Sequence, residues 1–142
     1  MRKVVFLFLL SVFANAEMVT FECRGADKVF MSDFDGVGEL SVEGELTEES
    51  KKVKASLVAV TRDAGNEGTL SPVVSLNPSG SAKVISGYSK QDVTFAEFVE
   101  EINGEKFHFS LLLDHAKNFA SRVNNRTTGQ SYRADCYTIT RF

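Results

Sequence analysis

Apolar and polar residues alternate along most of this chain in short runs, and turn-forming residues separate the runs. Val19-Thr20-Phe21-Glu22-Cys23 alternates and stops near Gly25. Val29 to Phe34 follows and is broken at Gly36 and Gly38, and Glu39-Leu40-Ser41-Val42-Glu43 then alternates up to Gly44. Lys51 to Thr61 is long and rich in Val, with the polar stretch Asp63 to Gly68 behind it. Thr69 to Leu76 contains Pro72, which suits an edge or a bulge. Asn77-Pro78-Ser79-Gly80 has the composition of a turn, and an alternating run from Ala82 to Tyr88 comes after it. Phe119 to Val123 and Tyr132 to Thr140 close the chain around Asn124-Asn125-Arg126-Thr127-Thr128-Gly129. Short runs punctuated by turns in this way predict a mostly β fold, an antiparallel β-barrel or β-sandwich of about eight to ten strands.

Val93 to Asp114 is the most informative stretch. Asn103-Gly104 is the strongest two-residue hairpin signal, because a type I′ turn requires positive φ at both positions. A two-residue loop there pairs Ile102 with Glu105, Glu101 with Lys106, Phe98 with Phe109 and Ala96 with Leu111. One face then holds Thr94, Ala96, Phe98 and Glu100 with Phe107, Phe109, Leu111 and Leu113. The other face is mixed, as an antiparallel sheet over a core should be. A competing reading exists. Phe95, Phe98, Val99 and Ile102 also follow helical spacing, with Asp92 as a cap and Asn103-Gly104 as a stop. That reading predicts an α+β fold with one helix at about 93–102. The hairpin is preferred because its pairing is consistent on both sides of the turn.

The first 16 residues differ from the rest. Met1-Arg2-Lys3 is basic, Val4 to Phe13 is an apolar run, and Ala14-Asn15-Ala16 is a small-x-small site. These are the three parts of a secretion signal, so we expect cleavage after Ala16 and a mature chain beginning at Glu17. The apolar run is too short for a spanning helix. The expected organisation is a signal peptide over 1–16 and a single β domain over 17–142. The signal takes two of the 16 basic residues and no acid. The mature part therefore has 14 Lys and Arg against 19 Asp and Glu, a formal charge of −5. This acidic balance argues against nucleic acid or anionic lipid as the principal partner.

The two cysteines, Cys23 and Cys136, lie near opposite ends of the mature chain. In an exported protein such a pair predicts a disulfide joining the terminal strands. Bridging brings their Cα atoms within about 7 Å, as closure of a barrel does. Phe21-Glu22-Cys23-Arg24-Gly25 running into Val29, with Cys136 closing near the end, resembles small periplasmic inhibitors of c-type lysozyme. The resemblance covers the two cysteine neighbourhoods and implies a β-barrel stapled by a terminal disulfide. No binding residue is carried over from it.

Candidate chemistry is sparse. Asp33-Phe34-Asp35-Gly36-Val37-Gly38-Glu39-Leu40 has carboxylates at positions 1 and 3 of a calcium loop and Gly at position 6. Val37 and Gly44 stand where ligating oxygens belong, so a Gly-rich turn with solvated acids is the better reading. On the mixed hairpin face His108 faces Val99, diagonal to Glu97 and Glu101, with Ser110 along the same strand. A hydrolase there would also need oxyanion donors and a nucleophile elbow, and the sequence has no Gly-x-Ser-x-Gly. His115 reads as a loop residue, and two histidines without a carboxylate pattern make a poor zinc set. Asn125-Arg126-Thr127 matches a glycosylation sequon and indicates a surface loop. An outer-membrane barrel would place Thr140, Thr138, Cys136 and Ala134 toward lipid. Against it stand the absence of Trp and the presence of only three Tyr. The expected protein is therefore exported to the periplasm or the extracellular medium and is not an enzyme. It needs no cofactor or metal and binds an unidentified small ligand or protein. Alternatives are an enzyme inhibitor displaying loop 62–68 or 124–129, an outer-membrane barrel, and a hydrolase centred on His108.

Overall fold

The computed structural model describes residues 16–26, 32–46, 48–62, 74–76, 79–88, 91–115 and 118–141. Every regular element among them is a strand. These are β1 (Ala16–Arg24), β2 (Asp33–Glu43), β3 (Lys51–Arg62), β4 (Val74–Leu76), β5 (Ser79–Tyr88), β6 (Gln91–Ile102), β7 (Glu105–Leu113), β8 (Ser121–Asn125) and β9 (Ser131–Arg141). Each long strand pairs antiparallel with the next, and β9 returns to pair antiparallel with β1. The result is an up-and-down barrel closed by eight strands, β1-β2-β3-β5-β6-β7-β8-β9. Short β4 extends β5 along β3. Leu57 pairs with Leu76 and Val53 with Gly80, so one register runs through both.

This continuity corrects the turn expected at Asn77 to Gly80. Ser79 and Gly80 are strand residues, and the chain does not reverse between β4 and β5. Residues 77 and 78, and the segment 63–73 with the expected loop 62–68 and the start of the Thr69 run, lie outside the described residues. So do residues 27–31, where the Val29 run begins.

The hairpin register expected around Asn103-Gly104 is the observed one, from Ile102–Glu105 to Thr94–Leu113. Asn103 and Gly104 have φ of 52° and 81°, the left-handed pair a type I′ turn needs. The helix at 93–102 is thereby overturned. Its helical spacing arose because Phe98 and Ile102 serve the inner face while Phe95 and Val99 are tolerated on the outer one, both half-buried or exposed.

Glycines 36 and 38 do not break a strand. They lie within the single strand β2, on its inward face, and Gly38 pairs with Phe21. A Cβ on Gly38 would collide with the Phe21 ring, so the glycine makes room for the aromatic side chain. Gly80 does the same opposite Phe98, where a Cβ would come within 2.5 Å of the Phe98 Cβ. The inner wall of β2, β3 and β5 is thus lined by Gly36, Gly38, Ala55, Ala59, Gly80 and Ala82. Phe21, Phe98, Phe107, Phe109, Leu111 and Leu113 fill the space from β1, β6 and β7. Small residues facing large ones is how side chains fill the interior of a small barrel. The Phe98 and Phe109 rings stack at 4.9 Å between centroids.

Cys23 and Cys136 sit directly opposite each other on β1 and β9, with Cα atoms 4.0 Å apart, and form a disulfide. It staples the seam where the first and last strands meet. Beside it β8 is short, so the end of β7 reaches β9 directly at Leu113–Cys136. Asp114, at φ 71°, completes the gap: its N–H donates to the Cys136 carbonyl at 2.9 Å. Its carboxylate accepts from the Thr138 N–H at 2.7 Å and hydroxyl at 2.6 Å. Ala134 and Cys136 face the core, so the stripe proposed for lipid is an inner one. The outward positions instead carry Glu22, Arg24, Glu39, Lys52, Lys54, Lys83, Glu97, Lys106, Arg122 and Arg133. Among the described residues these charges share the outer surface with the exposed apolar side chains Met18, Val37, Val58, Val99, Tyr137 and Ile139.

Candidate functional site

The outer face of β6 and β7 brings His108 and Glu97 together. They sit diagonally across the ladder, and the His108 Nε2 lies 2.6 Å from the Glu97 Oε1. Glu101 is not part of this pair and stands opposite Lys106 instead. Ser110 is two residues along the strand from His108, a distance of about 7 Å, too far for the imidazole to take its proton. The surrounding surface is that of a pleated sheet, with Lys83 lying over the Phe95 ring at 5.6 Å. A base oriented by a carboxylate is present here without a nucleophile in reach. His115, in the β7–β8 connection, is half-buried and distant in register from this pair.

Asp33 and Asp35 are not in a loop. Both belong to β2, Asp33 buried at 1% exposure and Asp35 half-exposed. Residues two apart on a strand share a face, and these two meet an arginine there in place of the further oxygen ligands that a calcium cage needs. Arg62, at the end of β3, serves both: its Nε lies 3.9 Å from the Asp33 carboxylate, and its Nη2 donates to Asp35. The other Asp35 oxygen accepts from the Gly25 N–H at 2.9 Å. This ion-paired group ties the start of β2 to the ends of β1 and β3. No group of three or more His, Cys, Asp or Glu able to hold a metal occurs among the described residues.

Among the described residues, two depressions lie on the outer wall. One, of about 520 Å³, crosses β1, β2 and β3, and Val37, Val58 and Val60 are among the residues that line it. Glu22, Arg24, Asp35 and Arg62 line it beside them. Val37 and Val58 are paired across the ladder and exposed at 55% and 42%. Tyr137 on β9 extends the apolar surface beyond Glu22. The other, of about 400 Å³, lies between β3 and β5 and is lined by Glu43, Lys52, Lys54 and Ser79.

The turn after β8 is pinned. The Asn125 Oδ1 accepts from the N–H groups of Thr127 and Thr128 at 3.0 and 3.2 Å, and its Nδ2 donates to Glu105 at 3.1 Å. The Arg126 N–H donates to the Lys106 carbonyl, and the Lys106 N–H to the Thr127 hydroxyl. Asn125 is buried, so its amide is spent on the fold and the sequon is not presented as a surface acceptor. The same bonds tie the turn to Glu105 and Lys106 at the start of β7, with residues 126–129 of the loop expected at 124–129 exposed. Sequence reasoning missed the Arg62 cluster and the β1–β3 depression. The available signal was Val37 and Val58 on outward positions of their strands, and that the two meet is invisible until register is known.

The fold and its surface define a closed up-and-down β-barrel with a filled interior, a disulfide at its seam and its polar chemistry outside. No protein-family model matches the chain, and no curated protein and no solved structure matches it either.

Proposed function

We propose that the protein is an exported, non-enzymatic binding module that meets its partner with the outside of the barrel. One observation carries the choice of surface: Phe21, Phe34, Phe98, Phe109, Leu57 and Leu111 occupy the interior, each at most 2% exposed. Barrels that carry small ligands keep that space open. The depression over β1–β3 supports a protein partner, because it combines exposed apolar side chains with charged ones, as protein interfaces do. Export rests on the residue pattern of 1–16 and on the disulfide, which forms and persists in oxidising compartments. The His108–Glu97 pair does not favour catalysis, since no nucleophile or oxyanion donor accompanies it.

The test begins with expression of the full chain and intact-mass analysis of exported material. A mass starting at Glu17 with both cysteines oxidised is expected. A photo-crosslinking residue placed at Val58 should then give a discrete protein adduct, lost on Val37→Glu, whereas the same residue at Lys106 should give none. Stoichiometric co-purification of a small apolar molecule, released only on unfolding, would overturn the reading.

A further inference from the structure

β8 and β9 place two arginines side by side. Arg122 pairs with Arg133 directly across the antiparallel ladder, and both are exposed. The Asn125 N–H donates to the Gln130 carbonyl at 2.8 Å. From there the ladder alternates, which makes Arg122–Arg133 a non-hydrogen-bonded pair, the kind whose Cβ atoms come closest. Like charges placed this way repel. Among the described residues neither guanidinium makes an ion pair.

The neighbouring acids are committed elsewhere. Glu97, two strands away on the same row, is held by His108. Asp135, two residues along β9, accepts from the Phe119 N–H at 3.0 Å. Asp33, in register with Arg133, is buried and lies beside Arg62. The row continues through Ser110, which pairs with Arg122 and adds a hydroxyl. Two adjacent guanidinium forks and a hydroxyl on a sheet face match a tetrahedral oxyanion, which accepts several charge-assisted hydrogen bonds and relieves the repulsion as it binds.

We propose that Arg122 and Arg133 form a two-point oxyanion site that takes a phosphate group. The site lies away from the β1–β3 depression and does not depend on it. The test uses thermal melts of the mature chain in inorganic phosphate and in chloride at equal ionic strength. In wild type, phosphate should raise the melting temperature by about 2–4 °C more than chloride does. Arg122→Gln and Arg133→Gln should each lose that increment, and in chloride each should melt at or above wild type because the repulsion is gone. Lys106→Gln removes an exposed cation elsewhere and should keep the increment. An equal rise in all four proteins would be a general salt effect and would overturn the site. Sedimentation with phosphatidylglycerol vesicles identifies the source of the phosphate. Vesicle binding lost in both arginine variants assigns it to a lipid headgroup, and a phosphate response without vesicle binding assigns it to a soluble phosphate. Vesicle binding unchanged in both variants, with no phosphate response, overturns the proposal.

Discussion

At the scale of single residues, the decisive distinction is the face on which a side chain stands. Phe98 and Glu97 are adjacent in sequence, yet Phe98 is 2% exposed against Phe109 while Glu97 meets His108 on the surface. Phe98→Asp loses a stacked aromatic and buries a carboxylate, and we expect a cost of about 3–5 kcal/mol. Glu97→Ala removes a surface ion pair and should cost less than about 1 kcal/mol. Urea denaturation midpoints check both, and similar midpoints would mean that the face assignment is wrong. Gly38 gives a second contrast. Gly38→Val places a side chain on the Phe21 ring and the Ser56 carbonyl and should cost at least about 1–3 kcal/mol. Val37→Ala, one residue away and exposed, should stay within about 0.5 kcal/mol.

At the scale of elements, the strands are ordered by their turns. The Asn103-Gly104 turn is locally encoded, since both residues tolerate positive φ. The β8–β9 turn is encoded differently: one buried side chain, Asn125, satisfies two backbone donors and reaches back to Glu105. Asn125→Leu keeps the size and removes all three bonds. We expect a loss of about 2–3 kcal/mol, with faster amide exchange at Thr127 and Thr128. Arg126→Ala, on the exposed part of the same turn, should be nearly neutral. Equal exchange in wild type and Asn125→Leu would show that the backbone bonds alone hold the turn.

At the scale of the whole molecule, the disulfide and the barrel seam coincide. The bridge spans 113 residues of sequence, and the chain-entropy account gives about 4–5 kcal/mol for loops of that order. Cys23→Ser/Cys136→Ser should therefore melt well below wild type, with far-UV circular dichroism of the folded form unchanged. The native protein should show no titratable thiol until it is reduced, because both cysteines are joined in the disulfide. Strand pairing of β1 with both β2 and β9 is the reason the fold is expected to survive the loss. A random-coil spectrum for the double variant would show that closure depends on the covalent link.

Much of this architecture is legible in the residues themselves. Alternation along each strand, the Asn-Gly turn and the terminal cysteine pair are local or covalent signals. They led to an all-β fold, the β6–β7 register and the disulfide at the closing strands. The tertiary structure alone decided the rest, because it depends on which strand faces which. Gly36 and Gly38 look like breaks until Phe21 is seen to need the space at Gly38 and the backbone of β3 the space at Gly36. Asp33 and Asp35 look like a metal loop until Arg62 is brought to them from the end of β3. Asn77 to Gly80 looks like a reversal until β3 is found holding both sides in one register. The exposed valines of β2 and β3, and the opposed arginines of β8 and β9, are adjacent only across ladders. Local sequence sets the phase of each strand. Which residues then meet across the sheet is fixed by pairing between strands distant in the chain, and that is a property of the closed barrel.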